Sequence, residues 1–205
     1  MHKLLIATHN PGKLNEIKKF LDGPFFSSMV SLNDVGIDED VEENGSSYAE
    51  NSLIKARFFA KKSGLPALSD DGGLEIAALE NAPGIHSKRW LGDDATEKDL
   101  INHMISVAKE LPDDNRVAWF KTVITLVLPN GKSFQVSGEV KGIIAKQPLL
   151  KYLKGYPYRS FFYLPDLGKY YHENELSIPE MKLYNHRYKA IQELLPIMKK
   201  EINNA

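Results

Sequence analysis

The sequence predicts an α/β fold built around a mixed sheet. Three observations carry this expectation. Short apolar runs of strand length are interspersed with longer segments of helical period, the helical segments open on capping residues, and a long hairpin arrives late in the chain.

Residues 3–8 form an apolar run bounded by polar residues, the pattern of a fully buried strand. Asn10 followed by Pro11 reads as an N-cap and a proline at the first helical position. Leu14, Ile17 and Leu21 recur at helical spacing, so a helix is expected to about Asp22, with a second strand over 28–32. An acidic stretch follows over 33–45. Ser47, with Glu50 three positions on, is a capping-box signature, and the helix it opens should run over 47–63 and stop before Gly64. Leu68 leads into Ser69-Asp70-Asp71-Gly72-Gly73, expected as a strand end and tight turn before a strand at 74–79. A helix is expected over 96–111. The strongest strand signal covers 116–128, where both alternating faces carry apolar residues and mark a central strand. Pro129-Asn130-Gly131-Lys132 then turns the chain into a hairpin partner over 133–140. Residues 146–185, rich in Tyr, Pro and Lys, read as loops with short strands. The last helix starts near His186 and runs towards Asn203, with Pro196 a bend.

Composition narrows the chemistry. The 205 residues carry 26 Lys plus Arg against 27 Asp plus Glu, and no Cys. Thiolate metal sites, disulfides and a cysteine nucleophile are therefore impossible. Binding of nucleic acid through global positive charge is disfavoured. No apolar run approaches the ~18 residues of a membrane span, and the amino-terminal apolar run is too short for a signal-peptide core. These features predict a cytoplasmic protein without membrane or nucleic-acid partners. The length suits a single domain over 1–205, or two closely joined lobes.

Four patches could carry chemistry. The turn Thr8-His9-Asn10-Pro11-Gly12-Lys13, with Glu16 behind it, joins a strand to a helix start, where backbone N–H groups attract anions and Lys13 can reach a phosphate. An ordinary capped turn explains the same residues, and the P-loop spacing is absent. Asp70-Asp71 places two carboxylates side by side before two glycines. Such a pair suits Mg²⁺, which takes few protein carboxylates, or a general base; a solvated tight turn is the plainer alternative. Glu43, with Glu50, Asn51 and Lys55 downstream, could add a further metal-facing carboxylate and a cation, although capping alone accounts for Glu50. His186-Arg187, near the start of the last helix, could read a base edge or a phosphate. Residues 155–163, rich in Tyr and Phe, could stack a base or simply form an apolar seam. The six histidines show no zinc spacing.

Taken together and in order, these patches resemble the noncanonical purine NTP pyrophosphatases, the inosine triphosphate pyrophosphatase family. Thr8-x-Asn10-x-x-Lys13-x-x-Glu16 matches the opening motif, and Glu43-Asn44-Gly45 with Tyr48-x-Glu50-Asn51-x-x-x-Lys55-Ala56-Arg57 the second block. Ser69-Asp70-Asp71-Gly72-Gly73-Leu74, Ala82-Pro83-Gly84-Ile85-His86-Ser87-Lys88-Arg89, Gly142-x-Ile144 and His186-Arg187 complete the series. The likeness runs from Leu5 to about Leu195. It implies an inosine triphosphatase-like α/β fold, a long twisted mixed sheet flanked by helices, in two lobes with a central cleft. It implies hydrolysis of ITP, dITP and XTP to the monophosphate and pyrophosphate, a Mg²⁺ requirement, and usually a homodimer. By the same resemblance Thr8, His9, Asn10, Lys13, Lys55 and Gly72 would bind the triphosphate. Glu43, Asp70 and Asp71 would hold Mg²⁺, Asp71 would activate the attacking water, and Tyr156, Tyr158, Arg159, Lys182, His186 and Arg187 would meet the base.

The chain departs from the family pattern at defined places. Gly72 stands where the family has Ser. Arg159 replaces an acidic residue, and a guanidinium can only donate hydrogen bonds. The family lysine before the His-Arg pair falls on Met181, with Lys182 one place later, and the stretch from Tyr170 to Leu176 is about two residues longer. A pyrophosphatase for another modified or pyrimidine NTP, and a nucleotide-binding protein of low turnover, are the alternatives these departures raise.

Overall fold

The computed structural model describes residues 2–203. Seven strands are hydrogen-bonded in the order β2-β1-β3-β4-β5-β6-β7. The elements, in chain order, are β1 (His2–Ile6), α1 (Pro11–Leu21), β2 (Phe26–Ser31), α2 (Tyr48–Ser63), β3 (Ala67–Ile76), α3 (Glu97–Glu110), β4 (Val117–Val127), β5 (Ser133–Ile144), β6 (Phe162–Leu164), β7 (Lys169–Tyr170), α4 (Ile178–Tyr184) and α5 (His186–Asn203). The sheet is mixed, as expected: β1 runs parallel to β2 and β3, whereas β5, β6 and β7 pair antiparallel.

The chain divides into two compact units, where a single domain or two lobes was expected. The first comprises Met1–Asp71, Thr122–Gly138 and Arg187–Ala205; the second comprises Gly72–Lys121 and Glu139–His186. In the first unit β1 is buried on both faces, which explains why its sequence is continuously apolar. Leu4 and Ile6 join a core with Ile17, Leu68, Ile124, Ile191 and Leu194, while Leu5 and Ala7 join another with Ala56, Phe59 and Val127. The second unit has its own core, where Leu100, Met104 and Ala108 of α3 pack with Phe120, Phe161, Phe162 and Tyr171.

Two expectations are corrected. Asp70-Asp71-Gly72-Gly73 forms no turn, and no separate strand spans 74–79: β3 runs unbroken through Ala67–Ile76. Its glycine is there for close approach rather than for bending. A Cβ on Gly73 would collide with the Ser87 hydroxyl and the Gly84 carbonyl, and Ser87 Oγ accepts from Leu74 N at 2.9 Å. The stretch 146–185 also holds more than loops. Besides β6 and β7 it contains α4, opened by Ser177 and Glu180, whose reciprocal bonds form a capping box, with a proline in the first turn. β5 extends to Ile144, beyond the expected Val140. Pro196 lies inside α5.

Candidate active site

The site in the first unit begins with strand pairing. Leu5 N donates to Pro66 O at 2.9 Å and Ala7 N to Leu68 O at 2.7 Å, so the carboxyl end of β1 lies beside the start of the parallel strand β3. Residues just beyond such ends are where open α/β sheets bind ligands. Beyond β1, buried Thr8 accepts from Asn10 N at 3.2 Å, and Asn10 caps α1 by accepting from Lys13 N at 3.1 Å. The cap fixes where Lys13 starts, and Glu16 lies three residues on, on the same helix face. His9 is exposed and meets the Glu39 carbonyl at 3.1 Å.

Helix α2 delivers the second lysine. Ser52 and Ser69 hydroxyls lie 2.9 Å apart, and Ser69 Oγ donates to Ser52 O, which ties α2 to β3. Lys55, one turn beyond Ser52, is thereby aimed at Asp70 and Asp71. Asn51 accepts from Gly45 N at 2.8 Å, and a Cβ on Gly45 would strike that same amide oxygen, so the Glu43-Asn44-Gly45 segment lies flat against α2. Glu43 then reaches Lys55 Nζ at 3.0 Å. The expected capping box is only half formed. Ser47 accepts from Glu50 N, but Glu50 accepts from the backbone and hydroxyl of Ser46.

The adjacent aspartates stand in different surroundings. Asp70 is fully buried, and both its oxygens are taken. Arg187 grips it with a fork, Nε to Oδ1 at 3.1 Å and Nη2 to Oδ2 at 3.0 Å. Lys13 Nζ lies 2.7 Å from Oδ2, and Thr122 donates to Oδ1. Burial alone would raise the Asp70 carboxyl, but Arg187 and Lys13 outweigh it and hold the group well below the usual carboxylate range. Asp70, expected among the metal-holding carboxylates, meets Arg187, Lys13 and Thr122 here. Asp71 is the reverse case. Its Oδ2 is buried with no hydrogen-bond partner, and Lys55 Nζ stands 4.0 Å from its Oδ1. Burial pushes its carboxyl up to about 6; Lys13 and Lys55 oppose the rise while Glu43 and Asp70 add to it.

The backbone carbonyl of Asp70 accepts from both lysines, Lys13 Nζ at 3.4 Å and Lys55 Nζ at 3.3 Å. Arg187 also meets Glu16, a residue quoted in the opening motif but given no role from sequence. Thr122 had no sequence signal. Among the described residues no three His, Asp or Glu side chains gather into a ready-made cation site. Glu43 and Asp71, on either side of Lys55, are the pair that fits a divalent ion by donor type. The orphaned Asp71 Oδ2 is an oxygen acceptor in want of a positive partner, and Mg²⁺ takes one or two carboxylates and completes its shell with water and phosphate.

The second unit holds a different cluster. Arg159, nearly fully buried, lies 3.9 Å from the centroid of the Tyr156 ring and 4.8 Å from that of Tyr171. Tyr171 OH and His186 Nδ1 are 2.9 Å apart, and the buried His186 ring stacks on Phe120 at 15°. Tyr158 donates its hydroxyl to Ser87 O, and burial pushes its phenol up. Gly72 lies within β3, and Lys182 is exposed on α4. Of the residues expected at a base, Arg187 alone stands elsewhere, in the Asp70 cluster of the first unit.

Known proteins resemble the chain over nearly its whole length. Residues 4–197 match the profile of the Ham1 family. The chain is 36% identical over 197 residues to a dITP/XTP pyrophosphatase of Thermus thermophilus, covering 96% of this chain and 92% of that protein. It is 38% identical over 192 residues to one from a Thermoanaerobacter species, covering 94% of each. A Ham1 protein from Coxiella burnetii superposes with a TM-score of 0.81 at 34% identity, covering 98% of this chain and all of the other. With a family profile spanning nearly its whole length and relatives of this similarity, the chain belongs to the Ham1 family.

Proposed function

We propose that the protein hydrolyses deaminated purine nucleoside triphosphates (ITP, dITP and XTP) to the monophosphate and pyrophosphate, clearing them from the nucleotide pool. The observation that carries this reading is the pairing of two lysines on one carbonyl with a buried carboxylate beside them, Asp71, whose Oδ2 has no hydrogen-bond partner. Lys13 and Lys55, with the Thr8–Lys13 turn, bind the phosphates. Asp71 Oδ2 accepts a proton from a water that attacks the α-phosphorus, and the bond to the β-phosphate oxygen breaks with its electron pair leaving on pyrophosphate. A carboxyl titrating near 6 is well matched to that task at neutral pH. Glu43 and Asp71 would hold Mg²⁺, which when bound neutralises charge on the departing pyrophosphate. Little covalent work falls to the protein, so aiming the lysines and the base accounts for most of the catalysis.

Base recognition is assigned to Tyr156, Tyr158, Arg159, Lys182 and His186, with Gly72 near the phosphates, on the strength of the family pattern. The relatives' names, dITP/XTP pyrophosphatase, support the substrate class. A homodimer and a cytoplasmic location complete the reading; no described helix is long and apolar enough to cross a membrane.

The test is pyrophosphate release with Mg²⁺ over ITP, dITP, XTP, GTP, ATP and dUTP. We expect kcat/KM for the first three to exceed that for ATP and GTP by tenfold or more. Arg159, a donor where the family has an acceptor, favours a second reading in which the same chemistry serves another base. A preference for dUTP over ITP would establish it.

A further inference from the structure

Glu16 and Arg187 have no part in the chemistry just described, yet both are buried and joined to it. Arg187 spends its fork on Asp70 and its remaining amino group on Glu16. Asp70 in turn holds Lys13 through its carboxylate, and both Lys13 and Lys55 through its carbonyl. Glu16 and Asp70 supply two negative charges and Arg187 and Lys13 two positive ones, so the charges of these four balance. Among them only Lys13 has appreciable side-chain exposure, 18% against 9% or less for the other three. A balanced buried set can sit rigidly where a lone buried charge cannot, because removing one partner leaves its mate uncompensated. Thr122 adds a bond to Asp70 Oδ1 and another to Asp71 O at 3.3 Å, so the clamp on Asp70 also reaches the next peptide.

We propose that Glu16 and Arg187 are positioning residues: together they fix Asp70 in the one orientation that aims Lys13 and Lys55 at a polyphosphate. Arg187 acts here through Asp70 and the lysines, and its partner Glu16 sits one helical turn from the lysine it serves. The proposal rests on the pyrophosphatase reading only in taking a polyphosphate chain as the ligand.

Binding of inorganic tripolyphosphate to the full-length protein, followed by calorimetry without metal or turnover, tests this separately from that reading. Glu16→Gln and Asp70→Asn should each raise the tripolyphosphate Kd tenfold or more, while Glu16→Asp, which keeps the charge, stays within about threefold. The double variant E16Q/D70N should bind no worse than D70N alone, because Glu16 acts only through Asp70. If Glu16→Gln fails to fold, Arg187→Lys carries the same test. It keeps the charge but loses the fork, and it should weaken binding severalfold while Tm stays within a few degrees. Wild-type affinity in E16Q, losses that add in the double variant, or (in that substitute) wild-type affinity in R187K would overturn the proposal. If tripolyphosphate binding behaves as expected while ITP is not hydrolysed, the function fails and the positioning network stands.

Discussion

The two units each bury polar side chains, but by opposite means. In the first, the acids Glu16 and Asp70 are joined to the bases Arg187 and Lys13 by a fork and short bonds. In the second, Tyr171, His186 and Phe120 form a packed aromatic group in which a neutral hydrogen bond joins Tyr171 to His186, and Arg159 is held on ring faces. Ion pairs in a dry interior are costly to break and sensitive to pH, because each partner depends on the other's charge. Ring stacks depend on shape and contact area, and tolerate charge changes nearby. The first arrangement suits a ligand recognised by charge, the second one recognised by the faces and edges of a ring.

Substitutions should separate the two. The largest effect is expected from Asp71→Asn, which should cut pyrophosphate release by about 10³-fold, the range of a lost general base. The same change should stabilise the fold at neutral pH. Asp71 titrates near 6 in the native chain against an ordinary value of 3.8, so the native state holds the extra proton between those values and loses stability as pH rises through them. Melts at pH 7 should show a gain on the order of 2 kcal/mol that vanishes near pH 4. Arg187→Met should be next, costing about 3–5 kcal/mol because it strands the fully buried Asp70. In the native protein Asp70 lies well below the usual carboxylate range, so its contribution is present at neutral pH and lost as pH falls through that range. The stability gap between wild type and variant should therefore narrow as pH falls through that range, which denaturant melts followed by circular dichroism against pH would register.

Lys55→Met should lower kcat/KM about 100-fold while leaving the ratio of ITP to ATP hydrolysis unchanged, since it touches the charge cluster alone. A change in that ratio would break the proposed division of labour. The smallest effect belongs to the second unit. Tyr171→Phe removes one buried hydrogen bond to His186 and should cost about 1 kcal/mol by chemical denaturation. It should lower the ITP to ATP preference a few-fold, with tripolyphosphate affinity unmoved.

Elements with local signals were legible in the sequence. The Asn10-Pro11 start of α1, the central strand β4 and the last helix depend on neighbours within a few residues, and the structure places them within a residue or two of expectation. The course of β3 was not legible, because what passes for a glycine turn is a cleared path for Ser87, thirteen residues on from the Leu74 amide it accepts from. Helix α4 carries a local signal too, since Ser177 and Glu180 share the spacing of Ser47 and Glu50 at α2. Lys13, Lys55, Glu43 and Asp71 could be named from motif spacing. That Asp70 and Asp71 meet such different partners could not, because the deciding partner, Arg187, is 117 residues from Asp70, and Glu16 is 171 residues from Arg187.

One oxygen, the Asp70 carbonyl, has a consequence for how this protein can change over time. Because both lysine ammoniums rest on it, their separation is set by a peptide group and cannot exceed the two hydrogen bonds laid end to end. A gauge made of backbone has no side chain to mutate. Replacing Asp70 alters how firmly the gauge is held but not the oxygen itself; only a slip in the register of β3 would move it. The upper bound on the lysine spacing is thus sheltered from substitution at Asp70, while the aromatic side chains of the second unit remain open to exchange. Exchange of those rings leaves the upper bound on the lysine separation where the carbonyl sets it.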